Sequence, residues 1–442
     1  MPVRILDRER SAILSSLGSG VVPRVGLQHV QVGRKKEIAA MLDDLKRVED
    51  GAAAVRFVVG RFGAGKSFFL SVIQAVALER KFVVARADIT TDRRLQATGG
   101  QAQALYAELM KNLATRSKHD GGALASLVER WVGDVAHGVK ASGGSDGDVA
   151  NKLADLCKPL QDLVAGYDFV TVLQRYYQAH LAGNDALRTA AIRWLRAEYA
   201  TKSEARQDLG VRTIIDDDSF YDYLKLFARF VKIAGYSGLL VCLDELVVLS
   251  HRLNNRVARN NNYEAILRIV NDALQGDTQN IGFVFAATDE CLHDKRRGLF
   301  SYEALASRLA GNRFATDELA DLSGPVLTLA TLTPEDFYVL LHNVRRVEAG
   351  GDEAKYTLSE EAMVAYITSC QQRMGAASYQ TPREAIKDFI GLLNVLRQNP
   401  SADWRKLIGE IKTDAPPAQD PAEAAATGAP ADGDDDLTTL RL

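Results

Sequence analysis

Five stretches of the chain, residues 55–59, 82–87, 239–243, 282–287 and 326–329, are runs of apolar side chains without polar alternation. Strands that face water on one side alternate, whereas strands buried on both faces do not, so these runs predict a five-stranded parallel sheet in an α/β fold. About 150 residues separate the second run from the third, where a parallel crossover needs only about a dozen, so a large helical insertion is expected over about 100–235. Its last helix is legible in Phe220, Leu224, Phe227 and Val231, which recur at helical spacing behind Asp216, Asp217, Asp218 and Ser219. That acidic triplet reads either as the cap of this helix or as a metal site. The glycine-rich stretch 138–148 reads as a surface loop between two helical patterns.

After residue 329 the pattern turns purely helical. Thr333-Pro334-Glu335-Asp336 and Thr381-Pro382-Arg383-Glu384 each offer a capping hydroxyl, a proline at the first helical position and a carboxylate three residues on. The expected organisation is a lead-in over 1–50, a core over 51–332, an all-helical unit over 333–412 and a tail over 413–442. The tail is rich in alanine, proline and aspartate, has little to bury, and is expected to be disordered.

Composition narrows the class. With 47% hydrophobic and 25% charged residues among 442, the chain can bury a large core, which excludes a wholly disordered or collagen-like protein. Its apolar runs are too short to cross a bilayer and its first residues lack the apolar stretch of a signal peptide, so no membrane contact and a cytoplasmic location are expected. Cys157, Cys242, Cys291 and Cys370 form no CxxC pair, and the histidines show no metal-binding spacing, which argues against a zinc site or a disulfide framework. The net charge of −3 hides a tail with seven acidic side chains and one basic one, leaving a slightly basic body. Such a body can bind phosphates locally but does not coat nucleic acid.

The segment 55–70 carries the chemistry. An apolar strand runs into Gly60-Arg61-Phe62-Gly63-Ala64-Gly65-Lys66-Ser67, a GxxxxGKS pattern, and then into an apolar helical start at Phe68. Glycines let the backbone curl so that successive N–H groups and a helix N-terminus point into one concavity, which binds a polyphosphate. Lys66 is placed to reach the β- and γ-phosphates, and the Ser67 hydroxyl to ligate Mg²⁺. The run 239–243 then delivers Asp244 and Glu245 at a strand end, the Walker B arrangement: Asp244 for the metal, Glu245 as the base that polarises the attacking water. No Asn-Lys-x-Asp base reader is present, so ATP is favoured over GTP.

With these two motifs the chain resembles the AAA+ superfamily, which implies an AAA+-type P-loop core with a C-terminal helical lid. By that resemblance Val32-Gly33-Arg34-Lys35-Lys36-Glu37 packs near the adenine, Thr288 at the end of the run 282–287 is the sensor-1 residue, and Arg308 and Arg313 stand where the family keeps its arginine finger. Arg383 matches sensor 2. Each of these arginines can also be an ordinary solvated residue. An arginine finger is supplied by the next subunit, so a homo-oligomer is implied.

More narrowly, 92–102, 215–221, 243–249 and 298–305 resemble BrxD, the ATP-binding protein family of BREX phage-defence systems. The likeness covers about residues 10–400 and implies antiviral defence alongside other BREX proteins: a methyltransferase, a phosphatase-like protein and a helicase. After Arg383 too few residues remain for the winged-helix DNA reader of replication initiators. Arg252, Arg256 and Arg259 recur at i, i+4 and i+7, so one helix face could offer a non-specific DNA contact, a subunit contact, or simply a solvated stripe. The function read from the sequence is a Mg²⁺-dependent ATPase that remodels DNA or partner proteins. The alternatives are a nucleotide-gated assembly switch or a DNA-sensing ATPase.

Overall fold

In the computed structural model, residues 5–314, 321–375 and 381–409 are described. The chain opens with α1 (Asp7–Gly18) and α2 (Lys35–Glu49) and then enters β1 (Ala53–Val59), α3 (Lys66–Glu79) and β2 (Val83–Asp88). Seven helices follow before the next strand: α4 (Gln101–Lys111), α5 (Leu124–Ala141), α6 (Asp146–Gln161), α7 (Gly166–Leu181), α8 (Asp185–Leu195), α9 (Lys202–Leu209) and α10 (Phe220–Ile233). After them come β3 (Leu239–Asp244), α11 (Arg256–Gln275), β4 (Ile281–Ala287), α12 (Asp289–His293), α13 (Glu303–Leu309) and β5 (Val326–Thr328). The last elements are α14 (Pro334–Glu348), α15 (Glu360–Gly375), α16 (Pro382–Gln398) and α17 (Trp404–Gly409).

All five strands pair in parallel, in the order β2-β3-β4-β1-β5. Each strand lies where an apolar run without polar alternation predicts it, because a strand covered on both faces leaves few positions for a polar side chain. The two faces have separate cores. Phe57, Val59, Val241 and Phe285 pack on one face beneath the long helical segment, while Val58, Val84, Leu240 and Ala286 meet Met41 and Leu45 of α2 and Phe69 and Ile73 of α3 on the other. The one charge buried within β1, Arg56, pairs with Asp44 of α2 and donates to the carbonyls of Leu322 and Gly324 on the approach to β5. A third core joins α14, α15 and α16 to Ile13 of α1 and Val30.

Two expectations from the sequence change here. The stretch 138–148 is mostly helical: α5 continues to Ala141, leaving a short turn before Ser145 caps α6. The buried face of α5, with Leu127 and Trp131, outweighs the low helix propensity of Gly133 and Gly138, around which an added Cβ would meet open space. The acidic triplet also acts elsewhere than expected. Asp216 accepts from Ser219 N and Oγ, but Asp217 accepts from the N–H groups of Gly100, Ala102 and Gln103 at 2.7, 2.8 and 2.9 Å, capping the distant α4. All four cysteines are free and buried. Thr333 and Thr381 cap α14 and α16 as expected, the latter in a reciprocal box with Glu384. Among the described residues no helix is long and apolar enough to cross a membrane. The tail over 413–442 lies outside the described residues.

Candidate functional site

Because the sheet is wholly parallel, all its strands deliver their C-terminal ends to one edge, where open α/β sheets place ligands. Here β1 runs into the loop 60–65, β3 ends in Asp244 and β4 ends before Thr288. Gly63 and Gly65 hold φ of 78° and 83°, in the left-handed region that side chains other than glycine rarely occupy. At Gly63 a Cβ would also come within 3.1 Å of Thr381 Cβ, so the loop lies directly against the start of α16. Gly65 caps α3 without a side-chain hydrogen bond, so the first N–H groups of the helix have no capping side chain.

Lys66 opens α3 and folds back over the loop, donating from Nζ to the carbonyls of Gly60 at 2.8 Å and Arg61 at 3.1 Å. Burial lowers its pKa, against the opposing pull of Asp244, Glu245, Asp289 and Glu290. Next along the helix, Ser67 Oγ donates to Asp244 Oδ2 at 3.0 Å, joining residues 177 apart in sequence. The other Asp244 oxygen, Oδ1, accepts from the Glu245 N–H at 2.8 Å. Glu245 itself sits at φ 58°, strained for a residue with a side chain, and stands exposed at the strand end. Partial burial and then the charges of Asp244 and Asp88 raise its pKa.

Asp88, which the motifs did not single out, ends β2 directly opposite Asp244 in the ladder. The signal was the parallel register: an acid closing the run 82–87 had to land beside the acid closing 239–243. Thr288 lies at the same edge, where its hydroxyl accepts from Cys291 N at 3.2 Å and caps α12.

The predicted arginines divide. Arg383, in the first turn of α16, stacks its guanidinium 5.7 Å from the ring centroid of Phe62, whose side chain is otherwise exposed. Phe68, one residue after Ser67, packs on the core of α14–α16. Arg308 on α13 bonds Asn271 of α11 at 3.0 Å on an exposed face, and Arg313 is exposed beyond α13.

Arg252, Arg256 and Arg259 do not form one helical stripe. Arg252 ends a π-helical turn (Val248–Arg252), residues 253–255 leave the helix, and α11 starts at Arg256 with Asn255 as its cap. Arg259 is buried and donates to Leu253 O at 3.0 Å, while Asn262 is buried against the backbone of Gln96. Counting by fours presumes an unbroken helix; the bend after β3 removes that premise.

The segment 32–37 meets the loop from behind. Arg34, itself left-handed at φ 57°, donates from one nitrogen to Ala64 O at 2.8 Å and to Ala330 O at 2.9 Å.

Among the described residues no group of three or more His, Cys, Asp or Glu side chains is arranged to hold a metal. What the edge offers is one carboxylate and one hydroxyl in contact. That donor set fits Mg²⁺, which takes one or two hard oxygens from protein and the rest from phosphate and water.

A family model described as BREX system ATP-binding protein BrxC/D matches residues 5–412. The chain belongs to that family, and the match does not separate BrxC from BrxD. No curated relative matches the chain.

Proposed function

We propose that this BREX ATP-binding chain is a Mg²⁺-dependent AAA+ ATPase whose cycle rearranges DNA or partner proteins during phage defence. One observation carries the reading: the Ser67 hydroxyl and the Asp244 carboxylate meet at 3.0 Å beside a loop curled around the N-terminus of α3. The amides of the loop Gly60–Gly65 and of Lys66 and Ser67 cradle the β- and γ-phosphates. Lys66 exchanges its two carbonyl partners for phosphate oxygens. Ser67 and Asp244 would hold Mg²⁺, which when bound would supply positive charge to offset that of the phosphates. Glu245 takes the proton of the attacking water at its carboxylate; in the nucleotide-free protein burial, then Asp244 and Asp88, raise its pKa. Thr288 and Arg383 border the terminal phosphate as sensors.

Arg308 and Arg313 face outward and serve the nucleotide of a neighbouring subunit in a homo-oligomer. In this reading residues 51–332 are the core with its helical insertion, 333–412 the lid and 1–50 the lead-in, in a cytoplasmic protein.

A second reading is a nucleotide-gated switch with little turnover. It draws support from Gly63, Phe62 and Phe68, which join the loop directly to α16 and its core, so that occupancy of the loop is felt there. Glu245→Gln separates the two. The ATPase reading expects the variant to bind ATP normally while phosphate release, followed at several protein concentrations, falls about a hundredfold or more. Wild-type protein that binds ATP and releases no phosphate would decide for the switch.

A further inference from the structure

We propose that Arg34 is the positioning residue that presets the phosphate loop, acting on phosphate recognition rather than on the adenine side. The inference rests on the loop Gly60–Gly65 being the triphosphate site and goes beyond it by assigning what holds the loop open.

Arg34 has a side chain only 11% exposed, and its Nη2 bonds two carbonyls far apart in sequence, Ala64 O and Ala330 O. In a trans peptide the C=O and the following N–H point in opposite directions. Holding Ala64 O outward at 2.8 Å therefore turns the Gly65 N–H the other way, to the inner side of the curl where phosphate oxygens must sit. Gly65 has φ 83° and open space where a Cβ would sit, so no side chain of its own restrains the peptide that precedes it. The second bond, to the carbonyl just past β5, ties the arrangement to the sheet.

The guanidinium is itself held: Glu37 lies 3.9 Å from Nη1, Asp336 of α14 adds attraction, and a Cβ on Gly33 would come within 3.1 Å of Asp336 Oδ1. Both bonds leave one terminal nitrogen, and the planar guanidinium fixes its position because the other terminal nitrogen faces Glu37. A lysine keeps the charge beside Glu37 and Asp336 but is a point donor on a flexible stem. A loop whose Gly65 peptide can flip must be reordered at each binding event, which weakens affinity without removing any atom that touches ATP.

The test titrates wild type, Arg34→Lys and Arg34→Gln with ATP and Mg²⁺, and repeats each titration with inorganic tripolyphosphate, which has no adenine. Unfolding of the nucleotide-free proteins is followed in parallel. Both variants are expected to lose about tenfold or more in affinity, by similar factors for the two ligands, with lysine retaining more than glutamine. Unchanged ATP affinity in Arg34→Lys overturns the proposal, whether or not its unfolding temperature falls. A titration in which tripolyphosphate is blind to the substitution overturns it as well, since the residue then acts on the adenine side or on folding. Wild-type protein that binds neither ligand overturns the assignment of the loop together with this one, whereas wild-type binding that survives the substitution overturns this one alone.

Discussion

Carboxylates are used in opposite ways in the helical segment between β2 and β3 and at the C-terminal edge of the sheet. In the helices, Asp168 is buried and fully engaged: it accepts from Arg212 N at 2.9 Å, Thr213 N at 2.8 Å and Thr213 Oγ1 at 2.6 Å. Asp217 is matched to three amides of α4 in the same manner. Neither has another carboxylate as its neighbour in these contacts, and each converts a polar group into a clasp between distant segments. At the sheet edge, Asp88, Asp244 and Glu245 crowd together, and burial, then Asp244 and Asp88, push the Glu245 pKa up. Acids matched only to donors hold the fold; acids set beside one another, even where one of them also accepts hydrogen bonds, store repulsion that a bound cation relieves.

Substitutions sharpen this contrast. The largest effect on stability is expected from Asp168→Ala, which leaves two backbone N–H groups and a hydroxyl without their acceptor; chemical denaturation should show a loss of about 3 kcal/mol. Asp217→Ala should cost about 1–2 kcal/mol by uncapping α4, with ATP binding intact. At the other end of the contrast the sign reverses. The folded-state pKa of Glu245 is raised, so its charged form is disfavoured by folding, and the penalty is present above the raised pKa and absent below the unfolded value. Glu245→Gln should therefore raise the unfolding temperature of the nucleotide-free protein slightly at neutral pH, with the gain fading as pH falls. A lower unfolding temperature at neutral pH would break the contrast.

The sequence announced the sheet edge far better than it announced the helices. Gly60 to Ser67 and the pair Asp244–Glu245 are local patterns, and a strand buried on both faces leaves an apolar run without polar alternation, so both were readable by position alone. What required the fold was everything made across distance. Asp217 caps a helix more than a hundred positions away, Asp88 matters only through its register with Asp244, and Arg34 acts on a loop carbonyl thirty residues on. The arginines after β3 misled because spacing along the chain carries no sign of the turn that ends at Arg252. Gly138, the first residue of the expected loop, misled in the other direction, since burial of Trp131 and its neighbours overrides local propensity.

The most direct measurement is calorimetric titration of ATP into the wild-type protein with and without Mg²⁺, alongside Asp244→Asn and Lys66→Ala. Binding is expected in the presence of Mg²⁺, weaker by about tenfold or more when the metal is withheld or Asp244 is neutralised, and lost with Lys66→Ala. Equal affinity in all four titrations, or no heat with the wild type and Mg²⁺, would contradict the assignment of Ser67 and Asp244 as the two sides of a metal–triphosphate site.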